Sequence, residues 1–193
     1  MIVTGVPGVG KTTVLTAALD CCKKRGVDVV HVNYGDMMFE AASAGRLVKN
    51  RDEMRSLPVN AQVELQLDAA KKIRSIAEEK NVILDTHMFI RTPRGYLPGI
   101  PSWVAESLLP DSLVLLEADP EEISRRRAKD AQIRVREADS ASKVAEHQLF
   151  GKAGAAALSV ITGCTVVVAE NKEGGHIAAA EIIADLFGSG SEA

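Results

Sequence analysis

Residues Gly5-Val6-Pro7-Gly8-Val9-Gly10-Lys11-Thr12 carry the spacing Gly, four residues, Gly-Lys-Thr, which is that of a phosphate-binding loop. Glycines let such a loop turn tightly, so that successive backbone N–H groups converge on one anion. A helix that starts there adds the positive end of its dipole. In this pattern Lys11 reaches the outer phosphates of a nucleotide and the Thr12 hydroxyl ligates Mg²⁺. The neighbours agree, because Ile2-Val3 reads as a strand and Thr13 to Leu19 as a helix. A plain Gly-rich turn would leave Lys11-Thr12 at the helix start unexplained.

Organising Mg²⁺ takes a second acid. Val82-Ile83-Leu84-Asp85 is an apolar strand ending in a carboxylate, which makes Asp85 a metal candidate beside Thr12. Leu113-Val114-Leu115-Leu116-Glu117 ends in the same way, so Glu117 is a rival. Asp85 is preferred on the expectation that its strand lies next to that of the phosphate loop. Either acid could also be a polar strand end facing solvent. Arg125, Arg126, Arg127, Arg134 and Arg136 crowd one short stretch. They read either as a solvated helix and loop or as a clamp on transferring phosphate, for which planar guanidinium groups suit. Three consecutive arginines on a helix cannot all face one site, and Arg126, Arg134 and Arg136 are taken as the contacts. His31, His87, His147 and His176 show no ligand spacing and read as structural, with His87 closest to the expected chemistry.

The elements that would position these groups alternate. Strand candidates are Ile2–Thr4, Val27–Asn33, Val82–Thr86, Leu113–Ala118 and Thr165–Ala169. Val59 to Glu79 follows Pro58 and reads as a helix with Val59, Val63, Leu67, Ala70, Ile73 and Ala77 on its apolar face. Pro120 opens another helix, Glu121–Lys129. Ile177–Phe187 is apolar nearly all round and should pack onto the sheet. Alternation of this kind predicts an α/β three-layer sandwich with a five-stranded parallel sheet, and nucleotide at the carboxyl ends of its strands.

The 193 residues suit one domain. A net charge of −3 and only 4% aromatic residues argue against a nucleic-acid module, which would need a basic stripe with stacking rings. No apolar run is long enough to span a membrane. The amino terminus enters a strand at once, so no signal peptide is expected, although the short first strand could also begin upstream of Met1. Three cysteines without metal spacing fit a reducing cytoplasmic setting.

From Asp85-Thr86-His87 through Ile90-Arg91-Thr92-Pro93 to Gly95-Tyr96-Leu97-Pro98-Gly99-Ile100-Pro101, the chain resembles the archaeal-type adenylate kinases. So do the phosphate loop, Asn33-Tyr34-Gly35-Asp36-Met37-Met38-Phe39-Glu40, Arg51-Asp52-Glu53-Met54-Arg55, and the helix after Glu117-Ala118-Asp119-Pro120. The resemblance implies a P-loop nucleoside monophosphate kinase fold: one kinase domain with a monophosphate-binding helical insert at about 34–80 and a short lid at about 128–142. It implies transfer from ATP to AMP giving two ADP with Mg²⁺, and a cytoplasmic homotrimer. Carried over by match, Gly5, Val6, Pro7, Gly8, Val9, Gly10, Lys11, Thr12 and Thr13 hold ATP, and Gly35, Asp36, Arg51, Arg55 and Arg91 fall on the AMP side. Arg126, Arg134 and Arg136 fall at or near the lid. Here Asp130 is followed by three residues before Arg134-Val135-Arg136, where the family has two, which rotates the arginine pair. Asn171 falls where the family's loop passes the adenine, or is a simple strand-to-helix turn.

A phosphate acceptor is already anionic, so Lys11, Mg²⁺, Arg91 and neighbouring arginines need only neutralise two anions and exclude water. A UMP or CMP kinase would share every phosphate feature. An alcohol kinase would need a carboxylate base, for which Asp36 is the candidate. A nucleotide-dependent switch would need loops that report the γ-phosphate, and no such motif is recognisable.

Overall fold

The computed structural model describes residues 1–50, 52–130 and 140–188, with the side chains of Asp52, Arg55 and Asp130 set aside. Arg51, Arg134, Arg136 and most of the expected lid lie outside the described residues. In chain order the elements are β1 (Ile2–Gly5), α1 (Lys11–Lys24), β2 (Val29–Asn33), α2 (Tyr34–Ala44), a 3-10 turn (Asp52–Ser56), α3 (Val59–Glu79), β3 (Asn81–Asp85), β4 (Phe89–Thr92), β5 (Gly95–Pro98), α4 (Ser102–Leu108), β6 (Ser112–Glu117), α5 (Pro120–Asp130), α6 (Ala141–Thr162), β7 (Thr165–Glu170) and α7 (His176–Gly188).

The five-stranded sheet runs β2-β3-β1-β6-β7 and is parallel throughout. Side-chain alternation along its strands builds two cores. Ile2, Leu84, Leu113 and Leu115 face α3, α4 and α6, where Ala69, Ile73, Val104, Ala155 and Leu158 meet them. Val3, Ile83, Val114 and Leu116 face α1 and α7, against Val14, Leu15, Ala18, Ala180 and Ile183. Both faces of the central strands β3, β1 and β6 are therefore dry, which is why these strands read as unbroken apolar runs.

Three features depart from the sequence reading. The buried side of α3 is Leu65, Ala69, Ala70 and Ile73. Ala77 is exposed, and Val59 is 77% exposed in the first helical turn. The predicted stripe was displaced because α2 and α4, which α3 packs against, set its orientation. Residues 89–98 form an antiparallel hairpin outside the main sheet, closed by Pro93-Arg94 with Gly95 at φ +117°. Helix α6 gave no sequence signal, because small residues dilute its apolar period. Its Gly151 and Gly154 sit on the inner side, and a Cβ on Gly154 would lie 2.5 Å from the Phe89 ring.

Candidate active site

The phosphate loop joins β1 to α1. Gly8 and Gly10 have φ of +84° and +91°, a region other residues avoid. A Cβ on Gly10 would also stand 2.4 Å from the Asn171 amide nitrogen. The loop's carbonyls are held from α5 and from the end of β7. Val9 O accepts from Arg126 Nη1 (2.9 Å) and Asn171 Nδ2 (2.7 Å), and Pro7 O accepts from Arg127 Nε (2.8 Å). Fixing these carbonyls fixes the peptide planes, and with them the direction in which the loop's N–H groups point.

Lys11 turns away from this scaffold. Its Nζ donates to an Asp85 carboxylate oxygen in a very close pair, and to Thr86 O at 2.9 Å. Burial pulls the Lys11 pKa down, and Asp85 opposes that shift. Asp85 Oδ2 also accepts from Asn33 Nδ2 at 3.1 Å. Strand adjacency does not separate Asp85 from Glu117, since β3 and β6 both flank β1. Their partners do. Glu117 pairs with Lys152 of α6 at 3.0 Å, while Asp85 meets the loop lysine. Among the described residues, no group of three or more His, Cys, Asp or Glu side chains could hold a metal. Thr12 Oγ1 and Asp85 nevertheless suit Mg²⁺, which takes one or two protein oxygens and completes its shell with phosphate oxygens and water.

Lys11 and Asp85 form one end of a cleft of about 440 Å³. Asn33, Tyr34 and Gly35 at the start of α2 line it, together with Met38, Met54, Gln62, Gln66, His87, Ile90 and Leu97. His87 Nδ1 donates to Gly5 O at 2.9 Å. Burial, reinforced by Lys11, lowers the His87 pKa to about 4, so the ring is neutral at neutral pH. Asp36 is exposed in the first turn of α2, its N–H donating to Asn33 Oδ1 at 3.1 Å, so its acidic charge sits at the positive end of a helix. Arg91 does not line this cleft. It lines an adjoining cleft of about 740 Å³, because strand alternation turns Ile90 to the first and Arg91 to the second. Gln62, Gln66, Leu97 and Pro98 border both.

A family model described as an AAA domain matches residues 4–145. The adenylate kinase of Methanopyrus kandleri is 49% identical over 174 residues, covering 90% of this chain and 89% of that one. The adenylate kinase of Methanocaldococcus jannaschii is 44% identical over 173 residues, 90% of each. The chain belongs to the archaeal-type adenylate kinases. At the level of fold alone, a solved shikimate kinase from Acinetobacter baumannii, in complex with shikimate, superposes with a TM-score of 0.55 at 14% identity, over 100% of this chain and 94% of that one. Among the described residues, no helix is long and apolar enough to cross a membrane.

For an adenylate kinase, the arginine run is arranged differently from the sequence reading. Both Arg126 and Arg127 face the phosphate loop, and Arg125 is the exposed member. Arg126 also pairs closely with Glu122 one turn earlier. Arg127 was passed over, although its position next to Arg126 was the available clue. Asn171 is only 4% exposed, its amide nitrogen held on Val9 O and its backbone N–H on Glu117 O at 2.7 Å. The structure thus places it beneath the loop of this kinase as a buttress. Tyr34 was legible only as a member of the Asn33–Glu40 segment, and Gln66, which lines the same cleft, belongs to no motif.

Proposed function

We propose that the chain transfers the γ-phosphoryl group of ATP to AMP with Mg²⁺, the donor's phosphates lying on Gly5–Thr13 and AMP occupying the 440 Å³ cleft. The observation that carries this reading is the position of Lys11, which belongs to the donor loop by sequence and to the cleft wall by geometry. An AMP phosphate oxygen attacks the γ-phosphorus, the bond to the bridging β–γ oxygen breaks, and ADP leaves as a second ADP forms. The attacking oxygen is already anionic, so no proton has to be removed. The neutral His87 ring and the exposed Asp36 fit a reaction without a general base.

Lys11 must leave Asp85 to meet phosphate, exchanging one charge-assisted partner for another. Bound at Thr12 and Asp85, Mg²⁺ would neutralise charge on the β- and γ-phosphates. Arg126, already beside the loop, and Arg134 and Arg136 supply further charge on the donor side. Arg51, Arg55 and Arg91 are the cations available to the acceptor, Arg91 from the hairpin that borders both clefts. Thr13, exposed in the first turn of α1, reaches the donor phosphates. Three free cysteines support a cytoplasmic setting.

The test mixes purified protein and Mg-ATP with AMP, UMP or CMP and follows diphosphate formation by chromatography. The expected result is rapid ADP formation with AMP alone among the three, and its loss by at least about a thousandfold in Lys11→Ala. Phosphate release without any new diphosphate would overturn the reading.

A further inference from the structure

Gln66 lies on α3 and borders both clefts. It is fixed at two points. Its backbone carbonyl accepts from the Tyr34 hydroxyl at 2.8 Å, and burial holds that phenol protonated by raising its pKa well above the usual tyrosine value. Its side-chain Oε1 accepts from Trp103 Nε1 at 3.0 Å. An indole N–H can only donate, so the atom facing it must be the amide oxygen, and the amide cannot turn over without losing this bond. Among the described residues, the Gln66 amide nitrogen has no hydrogen-bond partner, and Oε1 keeps a second lone pair. Gln62, one turn earlier, is held differently, with its amide nitrogen on Leu57 O at 2.7 Å.

We propose that Trp103 locks the Gln66 amide in one orientation, and that Gln66 so held reads the acceptor's base and admits adenine while rejecting hypoxanthine and guanine. This rests on the reading of the 440 Å³ cleft as the acceptor site. Lys11 and Asp85 mark its phosphate end. Met38, Met54 and Leu97 give the remainder the soft apolar walls that suit a base. Along its Watson–Crick edge adenine presents a donor at N6 and an acceptor at N1. Hypoxanthine and guanine present the reverse, an acceptor at O6 and a donor at N1. A freely turning glutamine serves either order by rotating its amide through half a turn. A locked one offers its oxygen and its N–H in one order only; with the oxygen set toward the 6-position and the N–H toward N1, that order pairs with adenine and refuses the other two. Trp103 is thus a positioning residue, and Gln66 touches the substrate.

The experiment measures kcat and KM for AMP, IMP and GMP at saturating Mg-ATP in the wild type, Trp103→Phe and Gln66→Met. Trp103 is 41% exposed, so the phenylalanine variant keeps the fold. The expected result for Trp103→Phe is a fall of about tenfold in the AMP-to-IMP ratio of kcat/KM, carried by KM, with kcat for AMP within about twofold of the wild type. Gln66→Met is expected to raise KM for AMP about tenfold and leave KM for ATP unmoved. An unchanged KM for AMP in Gln66→Met would place the base elsewhere and overturn both the cleft assignment and the proposal. A raised KM in that variant together with an unmoved ratio in Trp103→Phe would leave the cleft assignment standing and overturn the lock.

Discussion

The pair between Lys11 and Asp85 invites a double-mutant cycle on the ligand-free protein. The two side chains are only 10% and 12% exposed, so removing one charge strands the other in a poorly solvated place. Lys11→Met leaves the Asp85 carboxylate with the Asn33 amide at 3.1 Å. Asp85→Asn leaves the ammonium with Thr86 O at 2.9 Å, and removes the influence that holds the Lys11 pKa up against burial. Breaking a buried pair from one side costs about 3–5 kcal/mol. The residual exposure favours the lower end, about 3 kcal/mol for each single variant. For a chain of this size that lowers Tm by about 6–12 °C. The double variant Lys11→Met/Asp85→Asn buries no unmatched charge, and should cost under about 1 kcal/mol, because removing both partners forfeits little. Urea unfolding at pH 7 without nucleotide, with m-values compared across the four proteins, reads the coupling directly. Additive single losses, with the double variant near 6 kcal/mol down, would refute the pairing and with it the ligand-free position of Lys11.

Two further outcomes follow from the same surroundings. His87 titrates near 6.5 when unfolded and near 4 when folded, so between those values the unfolded chain binds more protons and stability falls as pH falls. Against the non-titrating His87→Gln, the wild type should lose about 3 kcal/mol of relative stability between pH 7 and pH 4, read by urea unfolding across pH; parallel profiles would count against the buried neutral ring. Gly10→Ala puts a side chain at φ +91° and drives its Cβ against Asn171. Left-handed strain and a lost Asn171–Val9 bond together amount to about 2–3 kcal/mol, so KM for ATP should rise more than KM for AMP, and equal rises in steady-state kinetics would contradict the buttress.

Much of this was legible because particular residues have few alternatives. Apolar runs ending in Asp85 and Glu117 can only be strands covered on both faces, and each was located to within a residue or two. The donor loop was legible for the same reason, as only glycine fits φ of +84° and +91° there. What stayed hidden depends on partners distant in the chain. Asp85 and Glu117 are equivalent in local sequence, and only the reach of Lys11 and Lys152 distinguishes them. The face of α3 follows from where α2 and α4 lie, and α6 carries its inner side on Val144, His147, Gly151, Ala155 and Leu158, too small and mixed a set to stand out. Arg91 was legible as an acceptor-side cation, but its place on a hairpin at the border of two clefts, opposite Tyr96, is something no motif encodes.

Helix α5 bears on how the two halves of the reaction are linked. Its Arg126 and Arg127 grip the Val9 and Pro7 carbonyls, one turn apart from its Glu122 and Ile123 anchors in the core. The same helix runs on to Asp130, four residues before Arg134. The loop is therefore braced from this helix at two of its carbonyls. Exchanging Arg127 for methionine would keep the stem's packing and remove the Pro7 bond. The expected outcome is a loss in both kcat and ATP affinity, because the loop's peptide planes are held less firmly. Arg125, on the opposite and solvated side of α5, has no such lever, and its exchange for methionine should leave both unchanged.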